Sequence, residues 1–525
     1  MIAPALLNEN YWTDFKVEPS DIEFIYNLLM EKAEPLPSAV LLRELVNHRI
    51  EEQKISMQQR TKDKGVYYLP KDQFEKGDHL LFPALDLHTG KVTTVREGFN
   101  PEFENLKVIE VKMDSGETRS FASNLAEHAL NTAYDFNEED PSQKPDAILA
   151  AHGDLLKSRL SDALKSHDDL VKIAGSWFPR SLLVDISVGH LNLAEAVLEE
   201  ANGGPIAIGE LMKQIELESD VDDKLLEFSF DLALQDDKRF DEVGPAGETL
   251  WFLHDMEPDD VIETPVFLKY SPKEYSHEGV QQFLEMFEGN LYDEWETWDS
   301  PHVSEKEISI SLIYPHWRSG TLPLSNSLKQ LFPTAHEAPR VNFTFKDSYT
   351  QKNFPGWVVR NQNYICGLAD WYADHEIMPG SLIKVQRGSQ PGEILIHYDK
   401  SRQNKEWLKT VLIGSDKGIV FAMLKHNINA EFNERMAIAI PDVSAVDEIW
   451  SNRIYEKEPI NKTILRITRE LAKLNPQGQV HAQELYAAVN VVRRCPPSLI
   501  LAQLLQEPQI AHLGDLYFRF SEKEA

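Results

Sequence analysis

Residues 191–255 read LNLAEAVLEEANGGPIAIGELMKQIELESDVDDKLLEFSFDLALQDDKRFDEVGPAGETLWFLHD, and this stretch decides the fold. Apolar residues recur at helical spacing in three short segments, and Gly203-Gly204-Pro205 ends the first of them. The apolar stripe of the third segment is Val221, Leu225, Phe228 and Leu232. A hairpin pattern follows, with its second strand at Leu250-Trp251-Phe252-Leu253. Three short helices and a hairpin predict a winged helix over residues 191–265.

Part of this stretch resembles a known family. Residues 228–255 combine an acidic segment of the form D-x-R-F with a wing that holds a tryptophan. This combination resembles the N-terminal domain of the delta subunit of bacterial RNA polymerase, in which a winged helix precedes an acidic tail. Here too the chain stays acidic, through Tyr292-Asp293-Glu294-Trp295-Glu296. It departs from the family where Gly247-Glu248-Thr249 lengthens the wing and where further domains follow. The resemblance implies a winged-helix fold with RNA polymerase as the first candidate partner.

Both ends of the chain contain helical patterns of the same kind. Over residues 446–525, three apolar helical segments precede a hairpin around Gly514-Asp515, and Pro496-Pro497 opens the third segment. This pattern predicts a second winged helix, and the two winged helices are candidates for distant repeats. Residues 1–75 contain two helical segments and a short β-rich run, which indicate a helix-turn-helix.

Two segments are rich in β-strand patterns. In residues 76–131, short β-rich runs separated by turn residues predict a small barrel, similar to the SH3-like barrels attached to transcription factors. Residues 308–443 show a strand, a helix with Trp371-Tyr372, a turn at Pro379-Gly380-Ser381 and another strand. This order is similar to the pseudobarrel DNA-binding domains of plant auxin-response factors and restriction-enzyme effector domains. Those domains have aspartate in the turn where this chain has Ser381.

The predicted fold class is therefore multidomain α+β, combining winged helices, an SH3-like β-barrel and a larger pseudobarrel. The expected domains are a helical segment (1–75), the small barrel (76–131), a linker and helical connection (132–190), an acidic winged helix (191–265), an acidic linker (266–307), the pseudobarrel (308–445) and a C-terminal winged helix (446–525).

Charge is distributed unevenly along the chain. The net charge of −32 argues against nucleic acid when taken as an average. Residues 191–310, however, hold 7 Lys+Arg against 31 Asp+Glu, whereas residues 316–426 hold 14 against 9. No signal peptide or membrane-spanning run is present in the sequence, and Cys366 and Cys495 form no metal-binding pair. We therefore expect a cytoplasmic protein with no membrane contact, no metal and no cofactor.

The basic segments predict contacts with double-stranded DNA, because Lys and Arg neutralise phosphates and Arg can fork onto guanine. The candidate nucleic-acid-binding residues are Arg318, Lys329, Arg340, Lys346, Lys352, Arg360, Lys384, Arg387, Arg402, Lys405, Arg493 and Arg494. A solvated barrel surface is the alternative interpretation. The third helix of the acidic winged helix would repel DNA, so a basic protein is its expected partner. The candidate partner-binding residues are Asp220, Asp222, Asp223, Glu227 and Asp231.

The sequence contains no phosphate-binding loop, dinucleotide-binding glycine turn, zinc-binding HExxH helix or GxSxG elbow, so we predict no enzyme and no catalytic residue. The leading interpretation is a transcription-associated protein whose pseudobarrel and C-terminal winged helix hold DNA while the acidic winged helix contacts a protein such as RNA polymerase. One alternative is a protein-only scaffold or DNA mimic. Another is a regulatory or DNA-recognition subunit of a restriction or defence system.

Overall fold

A computed structural model describes residues 11–62, 65–82, 85, 88–100, 103, 106–131, 144–217, 221–275, 279–284, 293–296, 306–390, 392–402, 405–415 and 417–521. The chain divides into two compact units, residues 1–184 with 221–228 and residues 185–220 with 229–525. Helices and sheets alternate throughout, so the predicted α+β class is confirmed. Among the described helices, none combines the length and apolar character needed to cross a membrane.

The elements of the first unit are α1 (Pro19–Lys32), β1 (Leu36–Pro37), α2 (Ser38–Lys62), β2 (Val66–Tyr67), β3 (His79–Phe82), β4 (His88–Glu97), β5 (Lys107–Met113), β6 (Thr118–Ser123), α3 (Pro145–Lys165), β7 (Leu170–Ile173) and β8 (Ser176–Pro179). Strands β1, β7 and β8 form one antiparallel sheet in the order β1-β8-β7. The hairpin β7–β8 follows α3, in a region where the sequence predicted a linker and helical connection.

A five-stranded sheet lies between α2 and α3 in the chain, in the order β2-β3-β4-β5-β6. Strands β2 and β3 are parallel, and the other neighbours are antiparallel. Strand β2 belongs to this sheet, although the sequence grouped it with the helical segment 1–75. The sheet has its own buried core of Tyr68, Phe74, Leu80, Phe82, Val92, Ile109, Val111 and Met113.

The second unit opens with α4 (Val188–Glu200), β9 (Ile206–Ala207), α5 (Ile208–Gln214), α6 (Asp223–Asp236), β10 (Phe240–Glu242), β11 (Leu250–Leu253), α7 (Asp259–Ile262) and α8 (Val280–Leu284). Within α6, residues up to Phe228 are assigned to the first unit. Strands β9 to β11 form a sheet in the order β10-β11-β9. The three predicted helices and hairpin between residues 191 and 255 are thus confirmed as elements.

The middle of the second unit contains β12 (Glu307–Ser311), α9 (Tyr314–Ser319), β13 (Thr321–Pro323), β14 (Arg340–Asp347), β15 (Asn353–Val359), β16 (Tyr364–Cys366), α10 (Ala369–Asp374), β17 (Leu382–Arg387) and β18 (Glu393–His397). These strands form a seven-stranded sheet in the order β12-β17-β18-β14-β15-β16-β13. The pair β14–β18 is parallel, and the other pairs are antiparallel.

The remaining elements are β19 (Lys405–Ile413), β20 (Ile419–Asn427), β21 (Ile438–Ala439), α11 (Val443–Ser451), α12 (Ile460–Ala472), β22 (Gln479–His481), α13 (Ala482–Val492), α14 (Pro497–Gln506), β23 (Ile510–Gly514) and β24 (Tyr517–Phe520). Strands β19 and β20 pair along their whole length as a two-stranded ribbon, with β21 beside β19. The last three strands form a sheet in the order β22-β24-β23.

One topology occurs three times in the described part of the chain. Each copy runs helix, strand, helix, helix, strand, strand, and its first strand pairs with its last. We call it the αβααββ motif; the first copy carries the five-stranded sheet between its second and third helices. The three copies share one register, which pairs Leu36 with Trp177, Ile206 with Trp251 and Val480 with Phe518. Each of these aromatic side chains is no more than 1% exposed.

A second correspondence supports the repeat. In each motif the third helix places a buried leucine six residues before the hairpin begins. These leucines are Leu164, Leu234 and Leu504, which precede Leu170, Phe240 and Ile510. In each copy, equivalent apolar positions therefore fill the core between the third helix and the hairpin.

Candidate nucleic-acid interface

Most of the cations that the sequence assigned to nucleic acid have partners inside the protein. Five of the cations lie against carboxylates: Arg318 on Asp447, Arg340 on Asp241 and Glu257, Lys346 on Glu393, Lys384 on Asp399, and Arg494 on Asp293 and Glu294. Three donate to backbone carbonyls: Arg360 to Ala338, Arg387 to Gln330 and Leu331, and Arg493 to Tyr455 and Glu458. Cations paired with carboxylates add little net positive potential to a surface. The positive potential of the predicted DNA-binding surface is therefore lower than its number of Lys and Arg residues indicates.

Arg494 lies at the centre of a buried polar cluster. Its Nη2 is 2.8 Å from Asp293 Oδ2 and 2.8 Å from Glu294 Oε1, and its side chain is 1% exposed. The Tyr486 hydroxyl donates to Asp293 Oδ2 over 2.7 Å, and His316 Nε2 lies 3.0 Å from Glu294 Oε2. In this conformation Arg494 is out of reach of a nucleic acid and instead ties residues 293–294 to the third motif.

The charges in this cluster are set by burial and by Arg494. Burial raises the pKa of Glu294, but Arg494 and His316 outweigh burial and lower that pKa to about 2. Burial raises the pKa of Asp293, and the attraction of Arg494 only partly opposes it. Burial also raises the pKa of Glu296 to about 7, while Ser498 N donates to Glu296 Oε1 over 2.8 Å. Glu294 is therefore the ionised partner of the Arg494 guanidinium.

Four of the predicted cations have neither a carboxylate nor a backbone carbonyl as partner among the described residues: Lys329, Lys352, Arg402 and Lys405. Lys329 lies 3.5 Å from the side-chain oxygen of Asn326, and Lys352 lines a cavity beside α10. The other two are exposed: Lys405 is the first residue of β19, and Arg402 lies three residues before it in the chain.

The open end of this ribbon combines cations with an exposed aromatic ring. Register pairs Trp407 with Lys425 and Lys405 with Asn427, so the side chains of all four project from the same face. Trp407 is 58% exposed, and Lys425 Nζ lies 5.5 Å from its ring centroid. The exposed Lys400, in a β-bridge with Ala430, and Arg402 precede β19 in the chain. We call Lys400, Arg402, Lys405, Trp407 and Lys425 the ribbon patch.

The other end of the same ribbon is anchored in the protein core. Val411, Ile419 and Phe421 are buried in a cluster that also contains residues of the third motif. Lys409 is 9% exposed, and its Nζ lies 3.0 Å from Glu484 Oε1. Because one end of the ribbon is buried in the core, its exposed end can contact a large partner while the packing of the buried end is kept.

The residues of the predicted acidic surface differ in their exposure. Asp222 and Asp223 are exposed at the start of α6, Glu227 is half-buried, and Asp220 lies outside the described residues. Asp231 is 6% exposed and accepts a 2.7 Å hydrogen bond from the Trp251 indole nitrogen. Asp231 is thus inaccessible to a protein partner in this conformation, and its role is to satisfy a buried tryptophan.

One group of side chains has the donor set of a metal site. Ligand atoms of Asp241, His254 and Glu257 lie within 4.8 Å of one another. Arg340 Nη1, however, lies 2.5 Å from Asp241 Oδ2 and 2.7 Å from Glu257 Oε2. Burial raises the pKa of Glu257 to about 7, with Arg340 opposing that rise. The guanidinium already supplies the positive charge that a metal ion would bring.

A cavity of about 420 Å³ lies beside α10. His375 and Asp347 line it, with His375 Nε2 3.2 Å from Asp347 Oδ2, and Trp371 Nε1 donates to the same oxygen over 3.1 Å. His375 Nδ1 faces the Trp371 carbonyl oxygen over 2.9 Å. Cys366 also lines the cavity, but burial raises the pKa of its thiol and disfavours the thiolate. The histidine is held in place at both nitrogens, which favours a positioning role over proton transfer.

Two residues of the ribbon patch, Trp407 and Lys425, were not predicted from the sequence. The signal that could have found Trp407 is its position two residues after Lys405 in a predicted strand, which places both side chains on one face. Lys425 became a neighbour only through the pairing of β19 with β20.

Comparison with known proteins gives no match for this chain: no family model, no curated protein and no solved structure is similar to it. The resemblances inferred from residues 228–255 and 308–443 accordingly remain expectations.

Proposed function

We propose that this chain is a cytoplasmic, non-enzymatic protein that binds double-stranded DNA through the ribbon patch, in transcription or another process on DNA. The observation that carries the proposal is an exposed Trp407 with Lys405 and Lys425 on its face of the ribbon, preceded in the chain by the exposed Lys400 and Arg402. Most charged side chains of the chain are acidic. The four cations of the ribbon patch have no carboxylate partner among the described residues, so they create a local positive potential that attracts phosphate.

The shape of the ribbon suits the proposal. The major groove of DNA is about 12 Å wide and admits a two-stranded ribbon. Exposed tryptophan is enriched where surfaces meet partners, because its ring buries a large area with little loss of conformational freedom. We propose that Lys405 and Lys425 contact phosphates on the groove edge while Trp407 packs against the sugar–base surface between them.

We further propose that the three αβααββ motifs are winged helices and that the five-stranded and seven-stranded sheets are the small barrel and pseudobarrel of a modular transcription-associated protein. Helix order and the pairing of the first strand with the last support this assignment. For the second motif, the exposed Asp222 and Asp223 favour a basic protein partner, and RNA polymerase is the first candidate. Co-purification of polymerase with the tagged full chain, lost in Asp222→Asn/Asp223→Asn, checks this partner.

The experiment that tests DNA binding is a fluorescence-anisotropy titration of a labelled 20-base-pair duplex, a length of about two helical turns, with the full chain. Changing Lys405→Gln and Lys425→Gln together removes two cations of the patch, and we expect affinity to fall by about tenfold or more at low salt. Both side chains are exposed, so the fold should not change.

The matched control is Lys306→Gln, an exposed lysine before β12 that does not belong to the patch. Its affinity should equal that of the unchanged chain. If the double variant binds duplex as tightly as the Lys306→Gln variant, the ribbon patch is not the interface and the proposal is rejected.

A further inference from the structure

A second cavity, of about 370 Å³, lies in the second unit where the segment 266–273 meets the third motif. Five basic side chains line it, whereas Glu456 is the one acidic residue among the lining residues of the described chain. The basic lining residues are Lys269, Lys273, Arg453, Arg493 and Arg494. Lys269, Arg453 and Arg494 lie against carboxylates. The unpaired positive charge of the cavity therefore comes from Arg493 and Lys273, and it favours a negatively charged ligand.

Arg493 is the fixed element of this cavity. It is 8% exposed, and its Nη1 donates to the carbonyl oxygens of Tyr455 over 3.0 Å and Glu458 over 2.9 Å. Those two bonds hold the guanidinium in one orientation. Its Nε and Nη2 have no hydrogen-bond acceptor among the described residues and are not among the fully buried unpaired nitrogens, so both are accessible to a ligand. A guanidinium held this way in a cavity wall is arranged to receive an anion from the cavity.

Two helix beginnings reinforce the positive field. Ile460, the first residue of α12, lines the cavity, and so does Leu499 in the first turn of α14. The amide groups at a helix start carry partial positive charge and bind anions. The hydroxyl-bearing Tyr270 and Ser271 in the same wall add further hydrogen-bonding groups.

The side chains of Lys269, Lys273 and Arg453 in the cavity lining are exposed. Lys273 is exposed and has no carboxylate partner among the described residues. Lys269 Nζ lies 2.6 Å from Glu263 Oε1, and Arg453 Nε lies 3.8 Å from Glu456 Oε2. Such exposed pairs are weak, so a multiply charged ligand can draw both cations away from their partners.

We propose that this cavity binds a small phosphorylated molecule, of a size between pyrophosphate and a nucleotide. Its volume falls in the usual range for small-ligand sites, about 300–1,000 Å³. Arginine forks and lysine point charges are the common partners of phosphate oxygens. The recessed position of Arg493 favours a small ligand over a duplex, whose phosphates lie on a broad convex surface. This inference does not depend on the ribbon patch, which is formed by other residues.

The test is isothermal titration calorimetry of the full chain with inorganic pyrophosphate in magnesium-free buffer. We expect saturable binding with a dissociation constant below about 1 mM. In Lys273→Gln, which changes an exposed side chain, affinity should fall by about tenfold, the effect of losing one charge-assisted contact. The control Lys462→Gln, an exposed lysine of α12 that does not line the cavity, should leave affinity unchanged.

Four outcomes would overturn the proposal. One is the absence of saturable heat at about 1 mM pyrophosphate. Another is equal binding of citrate, a polyanion without phosphate. The third is displacement of bound pyrophosphate by a short DNA duplex, which would assign the cavity to nucleic acid. Equal loss of affinity in Lys273→Gln and Lys462→Gln would place the bound anion elsewhere.

Discussion

At the scale of single residues, buried aromatic rings define the three motifs. Trp251 is 0% exposed, pairs with Ile206 across the sheet and donates its indole hydrogen to Asp231. Removing its side chain leaves a cavity and removes one hydrogen bond to the buried Asp231 carboxylate. We expect Trp251→Ala to lower the free energy of unfolding by about 3–5 kcal/mol, measured by urea denaturation.

The control for this prediction is Leu193→Ala on α4, because Leu193 is 50% exposed and its removal should change stability by about 0.5 kcal/mol or less. If Trp251→Ala unfolds at the same urea concentration as Leu193→Ala, the aromatic position common to the three motifs does not hold the core.

Glu296 makes stability depend on pH. Burial raises the pKa of Glu296 to about 7, whereas an unfolded glutamate titrates near 4.3. A raised folded-state pKa contributes stability at low pH, and this contribution is lost as pH rises from about 4.3 to 7. Glu296→Gln keeps the oxygen that accepts from Ser498 N but does not ionise. Relative to the unchanged chain, we expect this variant to gain about 2–3 kcal/mol between pH 5 and pH 8.

The measurement is urea unfolding of both proteins across that pH range. Comparison with the variant removes the contributions of Glu242 and Glu257, whose pKa values burial also raises to about 7. A constant difference in stability across the range would mean that Glu296 ionises in the folded protein as it does in the unfolded one.

At this scale, the sequence shows which residues are basic but not which of them are paired. Arg318 meets Asp447, and Arg494 meets Asp293, across sequence distances of 129 and 201 residues. No local pattern encodes such pairs, because they form only when distant elements pack. For the same reason, the pairing of Trp407 with Lys425 could not be predicted before the ribbon register was known.

At the scale of elements, the turn Pro379-Gly380-Ser381 shows how backbone geometry constrains sequence. Gly380 has φ +94°, and a Cβ there would lie 2.3 Å from the Cα of Ala437. Ser381 Oγ accepts a 3.1 Å hydrogen bond from Met378 N, which is a bond that the aspartate of the resembled families could also accept. The turn predicted before β17 is thus present and closely packed.

We expect Gly380→Ala to lower the free energy of unfolding by more than about 2 kcal/mol, because both the backbone conformation and the space exclude a side chain. Gly392→Ala is the matched control: Gly392 has φ +71° with no atom within 4 Å of its added Cβ. Its cost should be about 1 kcal/mol, from conformation alone. Equal melting of the two variants in differential scanning calorimetry would show that the contact with Ala437 is absent in solution.

The sequence predicted where the helices lie along the chain better than it predicted which side of each helix is buried. The expected stripe of α6 included Val221 and Leu225, but Val221 is 37% exposed, whereas Phe230 and Leu234 are 0% exposed. The buried face is rotated because Asp231 lies within it as the acceptor for Trp251. An apolar pattern cannot indicate a buried carboxylate whose partner is 20 residues away.

At the scale of the whole molecule, an inserted sheet makes the first of the three αβααββ motifs unrecognisable in the sequence. Residues 63–144 separate α2 from α3, so the first motif appears in the sequence as two unrelated helical segments. The other two motifs are continuous, and their patterns predicted three helices and a hairpin in each. The register shared by Trp177, Trp251 and Phe518 became visible only in the folded sheets.

The inserted sheet should fold independently, because every residue of its core lies between Tyr68 and Met113. We expect a fragment of residues 64–131 to unfold in one cooperative thermal transition followed by circular dichroism. Ile109→Ala, at a fully buried position, should lower its free energy of unfolding by about 2–5 kcal/mol. A fragment without a cooperative transition would mean that the sheet requires the surrounding helices.

DNA binding by an acidic chain through a small cationic patch must depend on salt, because salt competes for the phosphates. Duplex affinity of the full chain is measured by anisotropy across a series of salt concentrations. Because Lys400, Arg402, Lys405 and Lys425 would contact four phosphates, the slope of log K against log salt should be about −3.6. Undetectable binding at low salt, or affinity that is independent of salt, would contradict the account.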